Sequence, residues 1–230
     1  MQNILVTGSS KGIGRAIAIA LASDKTHLFI HGRDRDALAE TEKLVKEKGS
    51  SCSQIVADIS TTNGCEEIVK AVGEKSLSVL VNNAAIATVA PIAEHSLDDW
   101  NRTIAVNITA PFILTQKFLP QMKKGSSIVN ILSTAAKNAY TDWSSYCMSK
   151  FALRGFSDTL REELRPRGIR VIAVYPRAVD TPIWDSVPGD WPREKMMKAE
   201  EVAQAVAFAV SCPPDVLIED ITLGGLSGSL

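Results

Sequence analysis

Apolar positions along this chain form two alternating patterns: short continuous runs, and longer stretches with helical spacing. The short runs cover residues 3–7, 27–30, 54–57, 77–81, 126–132, 169–175 and 219–223. They predict buried strands, because a strand covered on both faces needs no polar alternation. Stretches with apolar residues every three or four positions cover residues 13–21, 35–48, 66–72, 97–124, 144–165 and 200–210. This alternation predicts an α/β fold, a single doubly wound domain over residues 1–230 with a seven-stranded parallel sheet.

Composition narrows the classes of function. The chain has 25 Lys and Arg against 26 Asp and Glu, so its charge gives no indication of a nucleic-acid or membrane partner. No apolar run reaches the roughly 18 residues of a membrane span, and the chain starts without a basic leader, so we expect a cytoplasmic protein. The four cysteines are scattered and the three histidines lack ligand spacing, so neither disulfides nor a metal site is expected.

The first predicted strand leads through a glycine-containing loop into a helix. Strand, glycine loop and helix follow in the order that a phosphate-binding turn requires, because glycines let backbone amides approach a pyrophosphate and the helix N-terminus adds positive partial charge. Glycines also mark ordinary tight turns, but this position favours dinucleotide binding. The candidate cofactor contacts in the loop are Gly8, Ser10, Lys11, Gly12, Ile13 and Gly14.

The end of the second strand indicates which nicotinamide cofactor the chain prefers. Many NAD sites carry an acid here for the ribose 2′-hydroxyl, whereas this chain has Gly32 followed by Arg33. A guanidinium suits a 2′-phosphate by charge and geometry, and Lys11 could lie near the same group. The pattern therefore predicts NADP(H) in preference to NAD(H). The alternative is that both cations are merely solvated.

An acid follows the third strand, on the side of a parallel sheet where ligands bind. Asp58 could accept a hydrogen bond from an adenine amino group, and Ile59 lies beside it. Asp58 could equally cap the helix expected to start near Thr61. After the second strand, Asp34 is expected to cap a helix rather than to contact a ribose.

The fourth strand runs into two asparagines and two alanines at residues 82–85. Asn82 and Asn83 can tie neighbouring strand ends together through side-chain hydrogen bonds. Ala84 and the alanine after it would let a cofactor pack closely. This strand end is therefore a further candidate cofactor contact.

Two more polar residues stand at informative positions. Asn107 lies in the apolar middle of the helix predicted over residues 97–124, and a buried asparagine must be hydrogen-bonded. It could take part in chemistry or cap a local irregularity. Ser133 follows the fifth strand on the ligand side of the sheet, although a serine there is often only a turn former.

Tyr146 and Lys150 are four residues apart and share one face of a predicted helix. An ammonium beside a phenol lowers the phenol's pKa, and a phenol tuned toward neutrality can exchange a proton with a substrate oxygen. A Tyr-x-x-x-Lys pattern is frequent by chance and alone favours a half-buried aromatic and a solvated charge. Together with the glycine loop and the polar residues at the strand ends, the same pattern favours a catalytic pair.

A rigid loop follows the sixth strand and leads into an aromatic segment. We expect residues 183–198, which carry Trp184 and Trp191, to form a mobile flap over an apolar substrate. The alternative is a surface loop whose tryptophans dock on the core.

Together these stretches resemble the short-chain dehydrogenase/reductase family over essentially the whole chain. The resemblance rests on the loop at residues 7–14, Asp58, residues 82–85, Asn107, Ser133 and the Tyr146–Lys150 pair. It implies a Rossmann-type sheet in the order 3-2-1-4-5-6-7.

The resemblance also implies a role for each motif residue. Tyr146 would protonate a carbonyl oxygen, Lys150 would lower the pKa of Tyr146 and hold the nicotinamide ribose, Ser133 would orient the carbonyl, and Asn107 would hold a water. Further cofactor contacts would be Pro176, Val179 and Thr181, with Thr181 at the nicotinamide carboxamide.

Two positions depart from the family pattern. Ala85 replaces a usual glycine, which narrows the space near the cofactor, and Arg177 replaces the glycine that typically follows Pro176. Arg177 could pair with an anionic substrate group or point to solvent. The family likeness further implies a homodimer or homotetramer, commonly formed through the long helices.

The leading hypothesis is an NADP(H)-dependent carbonyl reductase that also works reversibly as an alcohol dehydrogenase. Candidate substrates are a 3-oxoacyl thioester, a small ketone, a sugar or a pterin-like carbonyl. The alternatives are a cofactor-sensing or scaffolding protein without turnover, and a methyltransferase, which the tyrosine–lysine pair and Arg33 disfavour.

Overall fold

Parallel strands form one sheet in this computed structural model, which describes residues 1–226. The strands are β1 Gln2–Val6, β2 Thr26–Gly32, β3 Ser51–Val56, β4 Leu77–Asn82, β5 Ser127–Ile131, β6 Arg170–Pro176 and β7 Asp220–Leu223. Their order is β3-β2-β1-β4-β5-β6-β7, and every neighbouring pair is parallel. The predicted fold class, strand number and strand order are confirmed.

Helices cover both faces of this sheet. They are α1 Gly12–Ala20, α2 Arg35–Glu47, α3 Thr62–Val72, α4 Leu97–Ile104, α5 Ala110–Phe118, α6 Ser144–Leu164 and α7 Ala199–Ser211. In β1, Ile4 and Val6 belong to the core shared with α1, α2 and α7, whereas Leu5 belongs to the core shared with α3, α5 and α6. Because alternate residues are buried on opposite faces, the strand is a continuous apolar run.

The helix predicted over residues 97–124 is interrupted, which corrects that prediction. A π-helical turn at Ala105–Thr109 separates α4 from α5, and α5 gives way to a 3₁₀ turn at Leu119–Gln121. Asn107 lies in the π-helical turn, where its side chain exchanges two hydrogen bonds of 2.9 Å with the backbone N–H and carbonyl of Ile86. The apolar periodicity does not reveal this turn, because one extra residue alters the spacing only locally.

Several element boundaries also differ from the predicted ones. The third strand begins at Ser51, a few residues before its apolar run, and α3 begins at Thr62, as expected from a start near Thr61 although its apolar spacing covers only residues 66–72. Thr61 caps α3 by accepting the Gly64 N–H at 2.9 Å, so the helix starts in polar sequence where no apolar spacing announces it. The predicted cap at Asp34 is confirmed, since its carboxylate accepts the Ala37 N–H at 3.0 Å.

Three further properties of residues 1–226 bear on the function. No helix in this range is long and apolar enough to cross a membrane. Within the same range, no group of three or more His, Cys, Asp or Glu side chains could hold a metal ion. The four cysteines are free thiols.

Candidate active site

A cleft of about 650 Å³ lies along the edge of the sheet where the strands end. Residues that follow β1 to β6 line it, because the carboxyl ends of parallel strands meet at one edge. Every residue predicted to contact a cofactor lines this cleft, and so does Ser133. Asn107 is absent from the lining and instead joins α6 through a 3.0 Å hydrogen bond to the Ser149 hydroxyl. Its contacts are those of a residue that supports a local irregularity, and its catalytic role stays a prediction.

The loop between β1 and α1 requires its glycines for steric reasons. Gly8 and Gly12 have φ of +64° and +58°, in the left-handed region that favours glycine. A Cβ on Gly8 would lie 2.8 Å from the Cα of Ala84, and one on Gly14 would lie 2.2 Å from the carbonyl oxygen of Gly8. The backbone is therefore packed too closely for any side chain at these positions.

The N-terminus of α1 suits an anion. No side chain caps this end of the helix, and no acidic residue lies in its first turn. Its amide N–H groups and the positive end of its dipole therefore face the cleft without competition from a carboxylate. Arg15 stabilises the loop by donating hydrogen bonds to the carbonyl oxygen of Ser10 in the loop and to that of Ala37 in α2. A dinucleotide pyrophosphate fits this geometry.

The asparagines after β4 join strand ends as predicted. Asn82 donates to the side-chain oxygen of Asn130 on β5 at 2.9 Å. Asn83 donates to the carbonyl oxygens of Thr7 at 2.8 Å and Gly8 at 3.1 Å. These bonds hold the glycine loop against the neighbouring strand end.

His31, which sequence reasoning did not assign to the site, supports the same loop. Its side chain is buried in β2 and lines the cleft. Nδ1 accepts the Gly8 N–H at 3.3 Å, and Nε2 donates to the carbonyl oxygen of Ala57 at 3.2 Å. Burial lowers the pKa of His31 to about 4, which keeps the imidazole neutral and Nδ1 available as an acceptor. The sequence feature that could have assigned His31 to the site was its position directly before Gly32 at the end of β2.

Several cations line the cleft. Arg33 and Lys11 are exposed and line the cleft, together with Arg102 of α4, which carried no sequence signal. Asp58 accepts the Ser60 N–H at 3.0 Å, which is the main cause of its lowered pKa, with smaller contributions from Arg33 and Arg102. Asp58 therefore shapes the turn that precedes α3, and Thr61 is the cap of that helix.

Tyr146 and Lys150 lie on one face of α6, beside the end of β5. The ammonium of Lys150 is buried, donates to the Ile131 carbonyl oxygen at 2.9 Å and lies 5.5 Å from the centre of the Tyr146 ring. Ser133 follows β5, accepts the Ala135 N–H at 3.0 Å and lies near enough to the Tyr146 phenol to lower its pKa slightly. The structure thus brings the three predicted catalytic groups of the cleft together.

The expectation of a lowered pKa for Tyr146 is wrong for the protein without a cofactor. Burial raises the pKa of Tyr146 to about 12, against a smaller lowering by Ser133, and it lowers the pKa of Lys150 to about 7. Desolvation disfavours the charged form of each group, and the ammonium is directed at a carbonyl rather than at the phenol oxygen. At neutral pH the phenol is therefore protonated.

Comparison with known proteins identifies the family. A family model described as short chain dehydrogenase matches residues 2–190. The chain belongs to the short-chain dehydrogenase/reductase family. It is therefore an oxidoreductase.

Several known proteins and solved structures are similar to this chain. A sepiapterin reductase from Chlorobaculum tepidum is 32% identical over 99% of this chain and 97% of its own length. An alcohol dehydrogenase from the archaeon Thermococcus sibiricus, complexed with 5-hydroxy-NADP, has a TM-score of 0.91 at 29% identity and covers 100% of this chain and 99% of its own. A short chain dehydrogenase from Burkholderia cenocepacia in complex with NADP has a TM-score of 0.85 at 30% identity, covering 97% and 96%.

The positions that depart from the family pattern lie in the cleft. Ala85 is one of its lining residues, and so is Arg177. Arg177 is exposed, and its side chain passes so close to Gly224 that a Cβ there would lie 2.8 Å from the arginine Cδ. The cation thus stands at the rim, in contact with both solvent and cleft.

The predicted flap is joined to the loop after β6 by backbone pairing. Met197 donates to the Ala178 carbonyl oxygen at 3.1 Å and accepts the Asp180 N–H at 2.8 Å. Thr181 packs against Gly12, where a Cβ would lie 3.2 Å from its side chain. The indoles of Trp184 and Trp191 line the cleft rather than docking only on the core, whereas the flap's mobility stays a prediction.

Proposed function

We propose that this protein reduces a carbonyl compound to an alcohol with NADPH, and that it catalyses the reverse reaction with NADP⁺. One observation carries this proposal: Ser133, Tyr146 and Lys150 converge in the cleft that also contains the glycine loop and the exposed cations. The NADP-bound structures among its relatives support the choice of cofactor.

Candidate holding groups line the cleft for three parts of the cofactor. The glycine loop and the N-terminus of α1 would hold the pyrophosphate, Arg33 and Lys11 the 2′-phosphate, and Lys150 and Thr181 the nicotinamide end. NADPH supplies the hydride when it is bound. Ala84 lies against the loop and would limit the space beside it.

The remaining chemistry is proton transfer by Tyr146. Its pKa of about 12 keeps the phenol protonated, as the acid of a reduction must be, and Ser133 would orient the carbonyl oxygen toward it. The reverse reaction needs the phenolate, so its rate should rise with pH into the alkaline range, whereas ionisation of Tyr146 should impose no pH dependence on the reduction near neutrality. A reduction that requires the phenolate would contradict the assignment.

Substrate-dependent NADPH oxidation, followed by absorbance over a panel of carbonyl compounds, tests the proposal. Tyr146→Phe should lower turnover by about 10²- to 10⁴-fold, the usual contribution of a positioned general acid, with nearly unchanged NADPH affinity. Tyr175→Phe is the matched control, because Tyr175 is buried and absent from the cleft lining. Full turnover in Tyr146→Phe would overturn the role of Tyr146.

We also propose a homodimer or homotetramer located in the cytoplasm. Phe112 on α5 and Phe151 on α6 are 47% and 45% exposed, which supports association through these two helices. Light scattering coupled to size exclusion tests the first point, and a monomer at micromolar concentration would contradict it. Cell fractionation tests the second.

A further inference from the structure

Three tryptophans meet at one end of the cleft and form what we name the indole wall: Trp143, Trp184 and Trp191. Their ring centres are 4.9 Å apart for Trp184 and Trp191, and 5.9 Å for Trp143 and Trp184. Trp143 also makes an edge contact with the ring of Tyr146, at 5.4 Å between centres. The wall therefore reaches the phenol that is proposed to protonate the substrate.

Two of the three indoles in the wall present little polar surface to a ligand. The indole N–H of Trp184 donates to the Val179 carbonyl oxygen at 2.9 Å, and that of Trp191 donates to the Pro188 carbonyl oxygen at 3.1 Å. Because both donors are already used, these rings offer a ligand only π faces and C–H edges. A flat apolar ring can stack on these faces without losing hydrogen bonds to water.

The wall is held in place by bonds that surround it. The guanidinium of Arg193 pairs with Asp180 at 2.6 Å and Asp185 at 3.1 Å, and it donates to the Thr181 carbonyl oxygen at 2.9 Å. Asp142, directly before Trp143, has φ of +67°, the only positive value for a residue other than glycine within residues 1–226. Conformations of this kind persist where the surroundings impose them.

We propose that the substrate is a planar aromatic ketone or aldehyde whose ring lies against the indole wall and whose carbonyl oxygen faces Ser133 and Tyr146. This inference rests on the proposed function. Hydride from NADPH adds to the carbonyl carbon, the Tyr146 phenol gives its proton to the oxygen, and solvent returns a proton to the phenolate. The products are the alcohol and NADP⁺, with the aromatic ring unchanged.

A pair of ketones that differ only in ring saturation tests the inference. Acetophenone and cyclohexyl methyl ketone share size and carbonyl position, so the ratio of their kcat/KM values measures aromatic preference together with intrinsic reactivity. Replacing Trp191 by Leu leaves the intrinsic part unchanged. We expect the ratio to fall about two- to tenfold in Trp191→Leu, the magnitude of one lost ring contact. Trp191→Phe should restore most of it.

Trp100→Leu is the matched control, because Trp100 lies in α4 and is absent from the cleft lining. It should leave the ratio unchanged. An equal loss for both ketones in Trp191→Leu would overturn the inference, and so would a change of ratio in the control alone.

A binding measurement separates this inference from the proposed function. 2-Acetylnaphthalene titrated into the protein with NADP⁺ cannot be reduced, and calorimetry should show weaker binding in Trp191→Leu than in the wild type. If the wild type binds this ketone in the presence of NADP⁺ but reduces no ketone with NADPH, the proposed function fails and the aromatic site stands. If both ketones of the pair are reduced and the ratio is insensitive to Trp191, the aromatic site fails and the proposed function stands.

Discussion

The ammonium nitrogen of Lys150 lies 2.9 Å from the carbonyl oxygen of Ile131, on a side chain that is only 2% exposed. This bond joins α6 to the end of β5, the two elements that carry Tyr146 and lead to Ser133. A buried ammonium with a single carbonyl acceptor is poorly compensated for its lost hydration, which is why burial lowers its pKa to about 7.

Lys150 should therefore make the stability of the protein depend on alkaline pH. Between about pH 7 and the ordinary lysine pKa of about 10.4, the unfolded chain binds a proton at this position that the folded chain has released. The free energy of unfolding should rise with pH across this window, by at most about 1.4 kcal/mol per pH unit. Lys150→Met should lack this increment. Urea denaturation of both proteins at pH 7 and 9.5 checks the difference, and parallel pH profiles would contradict it.

Arg33 should set the preference for NADPH. Removal of a charge-assisted contact to the 2′-phosphate should lower the affinity for NADPH by roughly 10- to 100-fold. The affinity for NADH should change little, because NADH lacks that group. Titration of each nucleotide into Arg33→Ala measures the two losses. Arg35→Ala is the control, since this exposed arginine begins α2 outside the cleft lining. Equal losses for NADPH and NADH would count against the phosphate role.

His31 should couple loop geometry to acid pH. Between about pH 4 and 6.5 the unfolded chain is protonated at this histidine and the folded chain is not, so the free energy of unfolding should rise with pH in that window. His31→Leu should remove this dependence. His31→Leu should also lower the affinity for NADPH by about 2- to 10-fold, because the Gly8 N–H loses its acceptor.

Urea denaturation between pH 4 and 7 and an NADPH titration measure the two effects of His31. The control is His27→Leu, at the other end of β2, where the imidazole bonds with Ser51 and Ser53. It should leave NADPH affinity unchanged. An equal loss of affinity in both variants would rule out a specific role for His31.

Two glycines should respond in opposite directions to the same substitution. Gly14→Ala places a Cβ 2.2 Å from the Gly8 carbonyl oxygen, so we expect lost NADPH binding and a lowered melting temperature. Gly155→Ala, in the middle of α6, has nothing within 4 Å of the new Cβ and should stabilise the helix by about 1 kcal/mol or less. Thermal unfolding of both variants provides the comparison, and a Gly14→Ala protein with normal melting and binding would contradict the close packing.

The sequence by itself determined the sheet, its flanking helices and most of the cleft. Buried parallel strands must be apolar on both faces, and their carboxyl ends meet at one edge, so Gly8, Arg33 and Ser133 could be assigned to one site from their places in the chain, whereas Thr181 was assigned through the family resemblance. Local rules were also sufficient for the cap at Asp34.

Only the tertiary structure decided the properties that depend on neighbours distant in sequence. The π-helical turn at Asn107 follows from its bonds to Ile86, and His31 matters because β2 lies beside the glycine loop. The pKa of Tyr146 was predicted in the wrong direction because the spacing of four residues reports the proximity of Lys150, whereas burial is set by the packing of the whole cleft.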